Sequence, residues 1–89
     1  MAIRLPAEWM KAIDNRLLEY LQEEGVGSPK KIHEDGRIEF TREYIGRRLR
    51  LLLKSGLVDK VGRGVYRITP KGEAYLAGQE DLRDLEKPE

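Results

Sequence analysis

The side chains best suited to chemistry in this chain are the basic ones between residues 41 and 72. They form a helix-like run, TREYIGRRLRLLLK, followed closely by a glycine-flanked arginine in VGRGV. A guanidinium group can donate two parallel hydrogen bonds to a phosphate, or to the O6 and N7 atoms of guanine. Residues 28–72 carry 12 Lys/Arg against 5 Asp/Glu, whereas residues 1–27 carry 3 against 5 and residues 73–89 carry 2 against 6. A basic centre between acidic flanks indicates a surface that binds a polyanion.

The basic run is predicted to form a helix whose N-terminal half reads bases. Counting about 100° per residue from an inward Ile45, the outer side carries Glu43, Arg47, Arg50 and Lys54, with Arg48 at the flank and Tyr44 at the edge. Base-reading helices use mainly their N-terminal half, so the predicted base contacts are Arg42, Glu43, Tyr44 and Arg47. Arg47 is the best candidate for a guanine, whereas Arg48 and Arg50 lie further along and suit phosphates.

The same run also allows plainer interpretations. Glu43 can accept a hydrogen bond from cytosine N4, or it can only orient Arg47, its i+4 neighbour, through an ion pair. The whole helix face can simply be solvated. From Arg42 to Lys54, however, one acid stands against five bases, and a purely structural helix usually interleaves both signs. This imbalance favours the binding interpretation.

Two further groups of bases extend the predicted surface. Arg63 lies at the tip of a predicted hairpin between two glycines, with Lys60 and Arg67 on its strands. An exposed arginine on a narrow tip can enter a minor groove or hold a phosphate, although hairpin tips are often polar and rich in glycine. Lys30 and Lys31 stand at a predicted helix N-terminus, where free backbone N–H groups also attract phosphate.

The first half of the chain predicts two helices and a linker. The first helix is expected to open at Leu5–Pro6 and to end at Gly25, with Asp14 outside its apolar stripe. That stripe faces the core and is wide enough to reach a second subunit: Trp9, Met10, Ile13, Leu17, Tyr20 and Leu21. Ser28 caps a short second helix over residues 30–35. Residues 37–40 predict a short strand or an extended linker.

The second half predicts the basic helix, a hairpin and a last helix. Thr41 caps the basic helix and Gly56 ends it. Strands over 57–61 and 65–68 follow, joined by a three-residue glycine-rich loop, and Thr69 caps the fourth helix. The predicted fold class is mainly α with a small β-hairpin (α+β), a winged helix-turn-helix of about four helices and a two- or three-stranded antiparallel wing sheet. Residues 1–80 form the domain and residues 81–89 an acidic, partly frayed tail, in which Leu82 and Leu85 can add a helical turn.

Composition and motifs exclude several classes of protein. The chain has no cysteine, which excludes disulfides and thiolate metal sites, and its single histidine, His33, is interpreted as a surface residue. No apolar run approaches the roughly 18 residues that span a bilayer, and charges interrupt the stretch a signal peptide would need. No nucleophile–base pair, carboxylate pair or phosphate-binding glycine loop is present. We therefore expect a cytoplasmic, nucleoid-associated protein that is not an enzyme and uses no metal, cofactor or small-molecule ligand.

Three motifs carry a resemblance to a known family. They are the apolar-small-Arg-x-Leu step of residues 45–49, the Gly-Leu-Val entry to the wing at 56–58, and the Thr-x-x-Gly helix restart at 69–72. Together they resemble the winged-helix transcription factors of bacteria and archaea, most closely the small archaeal repressors of phage-repressor type. The resemblance covers about residues 9–78 and implies the winged-helix fold and DNA binding.

The leading functional prediction is a sequence-specific, double-stranded-DNA-binding transcriptional regulator of repressor type. Its recognition helix, about residues 42–55, would enter the major groove, and the wing tip, about 62–64, would touch the backbone or minor groove. A homodimer on a two-fold operator is expected, with a subunit contact built from leftover apolar residues: Trp9, Met10, Tyr75, Leu76, Leu82 and Leu85. The alternative is a winged-helix module that binds protein or RNA without specific DNA binding. DNA binding does not explain an outward Leu51, which can be a stray exposed apolar residue or part of a contact with another subunit.

Overall fold

Each of the last three helices begins at a hydroxyl side chain that accepts a hydrogen bond from the third residue after it. Ser28 accepts from Lys31 N at 3.1 Å, Thr41 from Tyr44 N at 3.1 Å and Thr69 from Gly72 N at 3.2 Å. The structure is a computed structural model that describes residues 3–89. Its elements are α1 (Ala12–Glu24), α2 (Pro29–Asp35), α3 (Arg42–Lys54), β1 (Val58–Gly62), β2 (Val65–Ile68) and α4 (Pro70–Leu76). The predicted winged-helix class, with four helices and a two-stranded sheet, is confirmed.

The first helix begins later than the sequence predicted. It starts at Ala12 and not at Leu5–Pro6, because the carboxylate of Asp14 accepts from Lys11 N at 2.8 Å and fixes the first turn there. The preceding segment is not helical, and Leu5 pairs in parallel with Asp81, with Leu82 N donating to Leu5 O at 2.9 Å. The apolar positions predicted for the start of the helix, Trp9 and Met10, therefore lie in a loop. The prediction that the helix ends at Gly25 is confirmed.

The wing sheet contains two antiparallel strands, and one additional residue extends it. Val58 pairs with Ile68 and Lys60 with Tyr66, after which a bulge shifts the register before Gly62 pairs with Val65. On the other edge of β2, Gly27 exchanges two backbone hydrogen bonds with Tyr66, at 2.9 and 2.8 Å. Residues 37–40 were predicted to be a short strand or an extended linker, but they form a bent linker, in which Phe40 N donates to Ile38 O at 3.0 Å.

The core lies between α1, α3 and the sheet, and every element contributes to it. Its fully buried side chains include Leu17, Leu18, Leu21, Ile32, Ile45, Leu49, Leu52, Val58 and Tyr75. The hydroxyl of Tyr75 donates to Asn15 Oδ1 at 2.5 Å, and burial raises the pKa of this phenol. Leu82, which the sequence assigned to the tail, is also buried in the core and begins a hydrogen-bonded turn that closes at Leu85. The packing of α1 against α3 fixes which face of α3 points outward.

Candidate nucleic-acid interface

The outer face of α3 presents a row of exposed charged side chains. The exposed members are Arg42, Glu43, Arg47, Arg50 and Lys54. The last four lie on the side away from the buried Ile45 and Leu49, and Arg42 is exposed as the first residue of the helix. Glu43 lies 4.0 Å from Arg42, a loose contact between two side chains that are both more than half exposed. Among residues 3–89, no ion pair joins Glu43 to Arg47. The i+4 pair that the spacing allowed is therefore not formed, and Arg47 keeps an unpaired charge.

Arg47 is held by aromatic packing. Its guanidinium carbon lies 5.8 Å from the ring centroid of Tyr44, within the range of a cation–π contact. Tyr44 is half-buried against the core, and its ring centroid lies 5.3 Å from that of Phe40, which precedes the helix. Sequence reasoning missed Phe40, although an apolar residue directly before an N-cap is a recognisable signal. Phe40, Tyr44 and Arg47 thus form a continuous stack, here called the Phe40 stack, on the first half of α3.

Arg48, the next residue, has the opposite environment. Its side chain is 6% exposed, and it donates through Nε and Nη2 to the two carboxylate oxygens of Asp14 at 2.9 and 2.5 Å. These hydrogen bonds raise the pKa of Arg48. The prediction that Arg48 faces a phosphate is wrong, because α1 covers that flank of α3 and supplies a buried carboxylate. The prediction that Asp14 lies on the polar side of the first helix is wrong for the same reason.

The N-terminus of α2 lies beside the middle of α3. A Cβ built on Gly46 would touch Pro29 Cγ at 3.5 Å, so the first residue of α2 packs directly on α3. Lys30 and Lys31 follow Pro29, and both are exposed. The fold therefore brings the start of α2 next to α3, whereas Lys31 lies on another side of α2, beside Tyr20, Glu24, Glu34 and Asp35.

The wing carries the third group of bases. Arg63 is exposed at the tip, followed by Gly64, whose positive φ of 67° allows the tight turn. Lys60 lies with its Nζ 5.8 Å from the ring centroid of Tyr66. Arg67 approaches Asp59 at 4.0 Å, with both side chains more than half exposed. Within the described part of the chain, neither Arg63 nor Lys60 forms an ion pair, so the wing keeps two charges that no carboxylate neutralises.

Comparison with known proteins agrees with this geometry. The family model described as winged helix-turn-helix phage repressor matches residues 1–88. A protein named repressor protein, from Halobacterium phage phiH, is 33% identical over 88 residues, covering 90% of this chain and 93% of the relative. The crystal structure of the PhiH1 repressor-like protein from Haloarcula marismortui has a TM-score of 0.90 at 38% identity and covers 100% of both chains.

The chain belongs to the winged helix-turn-helix phage repressor family. The resemblance inferred from the sequence is therefore confirmed. Membership indicates a repressor-type regulator, and the family is not one of enzymes, as the sequence predicted.

Arg37, which also belongs to the basic segment, is not part of the candidate interface. Arg37 forms ion pairs with Asp35 at 2.7 Å, Glu24 at 3.0 Å and Glu23 at 3.4 Å, and it lies 4.7 Å from the ring centroid of Tyr20. Its hydrogen bonds lower the pKa of Asp35, and the same bonds raise the pKa of Arg37 itself. The Arg37 cluster, defined by these five residues, therefore neutralises one of the charges counted in the basic segment.

The predicted subunit contact requires a correction. Tyr75, Leu76 and Leu82 are core residues and present no apolar surface to a second subunit. Trp9 and Leu85 remain half-buried, joined by a hydrogen bond from Trp9 Nε1 to Leu85 O at 3.2 Å, and they line one shallow cleft. Leu51 is half-buried but is not among the apolar residues packed on the core, and nothing in the structure explains its position.

The remaining sequence predictions concern metals and membranes. His33 is exposed, as predicted, and its Nδ1 lies 2.9 Å from Phe40 O. No group of three or more metal-ligating side chains occurs within residues 3–89. Over the same residues, every helix is too short or too polar to cross a bilayer.

Proposed function

We propose that this protein is a repressor that binds double-stranded DNA in a sequence-specific manner, with α3 in the major groove and the wing tip on the adjoining backbone or minor groove. The observation that carries the proposal is the contrast between the two sides of α3. Its outer side and its first residue together expose four bases and one acid, whereas its inner side is fixed by a buried ion pair. A rigid helix with unpaired arginines at its exposed N-terminal half suits base recognition.

The positions of the exposed side chains suggest which of them contact base edges and which contact the phosphates of the DNA backbone. Arg47 is best placed to donate to guanine O6 and N7, because the Phe40 stack already orients its guanidinium group. Arg42, Glu43 and Tyr44 share the same end of the helix, and Glu43 is free to accept from cytosine N4. Contacts to phosphates fall to the remaining exposed bases: Lys30, Lys31, Arg50, Lys60, Arg63 and Arg67.

The functional unit in this proposal is a homodimer on a two-fold operator. A domain of this size covers a limited length of DNA, and dimers gain affinity and register from half-sites about one helical turn apart. The half-buried Trp9, Met10 and Leu85 are the remaining candidates for the subunit contact. Such a dimer would be associated with the nucleoid.

Selection from a random duplex pool, followed by mobility shifts over a salt series, tests this function. We expect an enriched site with two-fold symmetry, and affinity that falls with salt by a slope of about −0.9 per phosphate neutralised. Absence of any shift at low salt would contradict DNA binding and favour the alternative, a module that binds protein or RNA. Enrichment of a single, unsymmetrical half-site would contradict the dimer alone.

A further inference from the structure

One exposed aromatic ring stands at the base-reading end of α3 without a role in the contacts proposed above. Phe40 lies directly before the N-cap Thr41 and is 43% exposed. A large apolar side chain gains nothing from this much contact with water. Four large apolar side chains between Ile3 and Glu89 are exposed, namely Ile3, Val26, Phe40 and Val61, and of these only Phe40 directly precedes α3 in the chain.

The backbone of Phe40 is held by two hydrogen bonds, and its ring packs on one aromatic neighbour. Its N–H donates to Ile38 O at 3.0 Å, and its carbonyl lies 2.9 Å from His33 Nδ1, which donates to it in the tautomer protonated there. The ring packs on Tyr44 at 5.3 Å with an interplanar angle of 43°, a favourable aromatic geometry. Because Tyr44 also carries Arg47, the apolar ring and the guanidinium group are positioned by the same side chain.

The chemistry of the ring limits what it can recognise in a major groove. A phenyl ring has no hydrogen-bond donor or strong acceptor, and the only apolar group on a base edge there is the C5-methyl of thymine. Building on the proposed placement of α3 in the major groove, we propose that Phe40 reads the methyl group of a thymine in each half-site, beside the base contacted by Arg47. Through Tyr44, the Phe40 stack then links the apolar contact of Phe40 with the thymine methyl to the hydrogen bonds of Arg47 with the neighbouring base.

Replacing thymine by deoxyuridine tests this assignment, because it removes the methyl group and nothing else. In a duplex carrying the selected site, each thymine is replaced in turn. We expect one position per half-site at which the affinity of the wild type falls about fourfold, the effect of one buried methyl group. Phe40→Ala should bind the thymine and uracil duplexes equally, and Phe40→Leu should keep part of the discrimination. Val26→Ala, at a residue that is 48% exposed, lies between α1 and α2 and takes no part in the proposed contacts, is the matched control and should discriminate like the wild type.

The outcomes separate this proposal from the proposed function. Tight DNA binding with no methyl effect at any thymine would overturn the reading by Phe40 while leaving DNA binding intact. A methyl effect that persists in Phe40→Ala would also overturn it. The same holds if Phe40→Ala, with unchanged thermal melting, loses affinity for the thymine and uracil duplexes by the same factor, because the discrimination would then not depend on Phe40. Failure of the wild type to bind any duplex would instead contradict the function on which the proposal rests.

Discussion

The outer face of α3 and the Arg37 cluster each contain an arginine packed on a tyrosine ring within one basic segment, but only the arginine of the Arg37 cluster is paired with carboxylates. Arg47 rests on the ring of Tyr44 and meets no carboxylate in the described chain. Arg37 rests on the ring of Tyr20 but is enclosed by three carboxylates within 3.4 Å. An arginine therefore adds to a polyanion-binding surface only where the fold leaves its charge unpaired, which a count along the sequence does not reveal.

The largest effect is expected from breaking the buried pair that orients the outer face. Asp14→Ala leaves the guanidinium of Arg48 buried without a counter-charge and should lower the free energy of unfolding by about 3–5 kcal/mol. Urea denaturation measures the change. The double variant Asp14→Leu/Arg48→Met removes both charges and should recover much of the stability. A loss below about 1 kcal/mol in Asp14→Ala, the range of an exposed pair, would show that the pair does not fix α3.

A smaller effect, on binding and not on folding, is expected at Arg47. Arg47→Ala should weaken binding to the selected site by about 1–3 kcal/mol and relax the preference at one base pair, because a bidentate contact to a base edge is lost. Fluorescence anisotropy with the selected site and its single-base-pair variants measures both. Arg50→Ala, on the same face, should weaken all sequences alike. Wild-type affinity and preference in Arg47→Ala would place base recognition elsewhere.

The wing tip should contribute less, and without sequence preference. Arg63→Ala removes one exposed, unpaired charge and should weaken specific and random duplexes by the same factor. The slope of affinity against salt should become shallower by about 1, as for one phosphate contact. Titrations at three or more salt concentrations give the slope. If the preferred site alone were weakened, Arg63 would read bases or groove shape.

Local signals in the sequence were enough to predict most of the fold. Ser28, Thr41 and Thr69 each cap a helix through a backbone N–H three residues away, so their effect is contained in a few positions. The start of α1 could not be read in this way. Pro6 is typical of a first helical residue, but the preceding Leu5 forms a parallel β-bridge with Asp81, near the other end of the chain.

The sequence predicted the directions in which the side chains of α3 point, but it did not predict which residues of other elements they contact. The position of Arg48 on the flank of α3 followed from helical periodicity. The burial of Arg48 depends on Asp14, 34 residues earlier, and no local sequence pattern predicts that contact. Phe40 was overlooked because a sequence does not show whether an apolar side chain is exposed. The DNA contacts assigned to the exposed bases remain predictions.

The smallest effect is expected in the Arg37 cluster, and it tests the contrast between the two regions most directly. Arg37→Gln removes one positive charge from the basic segment, as Arg50→Gln does on α3. Because Arg37 is bonded to Glu23, Glu24 and Asp35 and makes none of the proposed phosphate contacts, its loss should leave DNA affinity and the salt slope within error of the wild type. Arg50→Gln should make the slope shallower by about 1, like any lost phosphate contact. Equal changes of slope in the two variants would mean that total charge in the segment, and not unpaired charge on α3, determines binding.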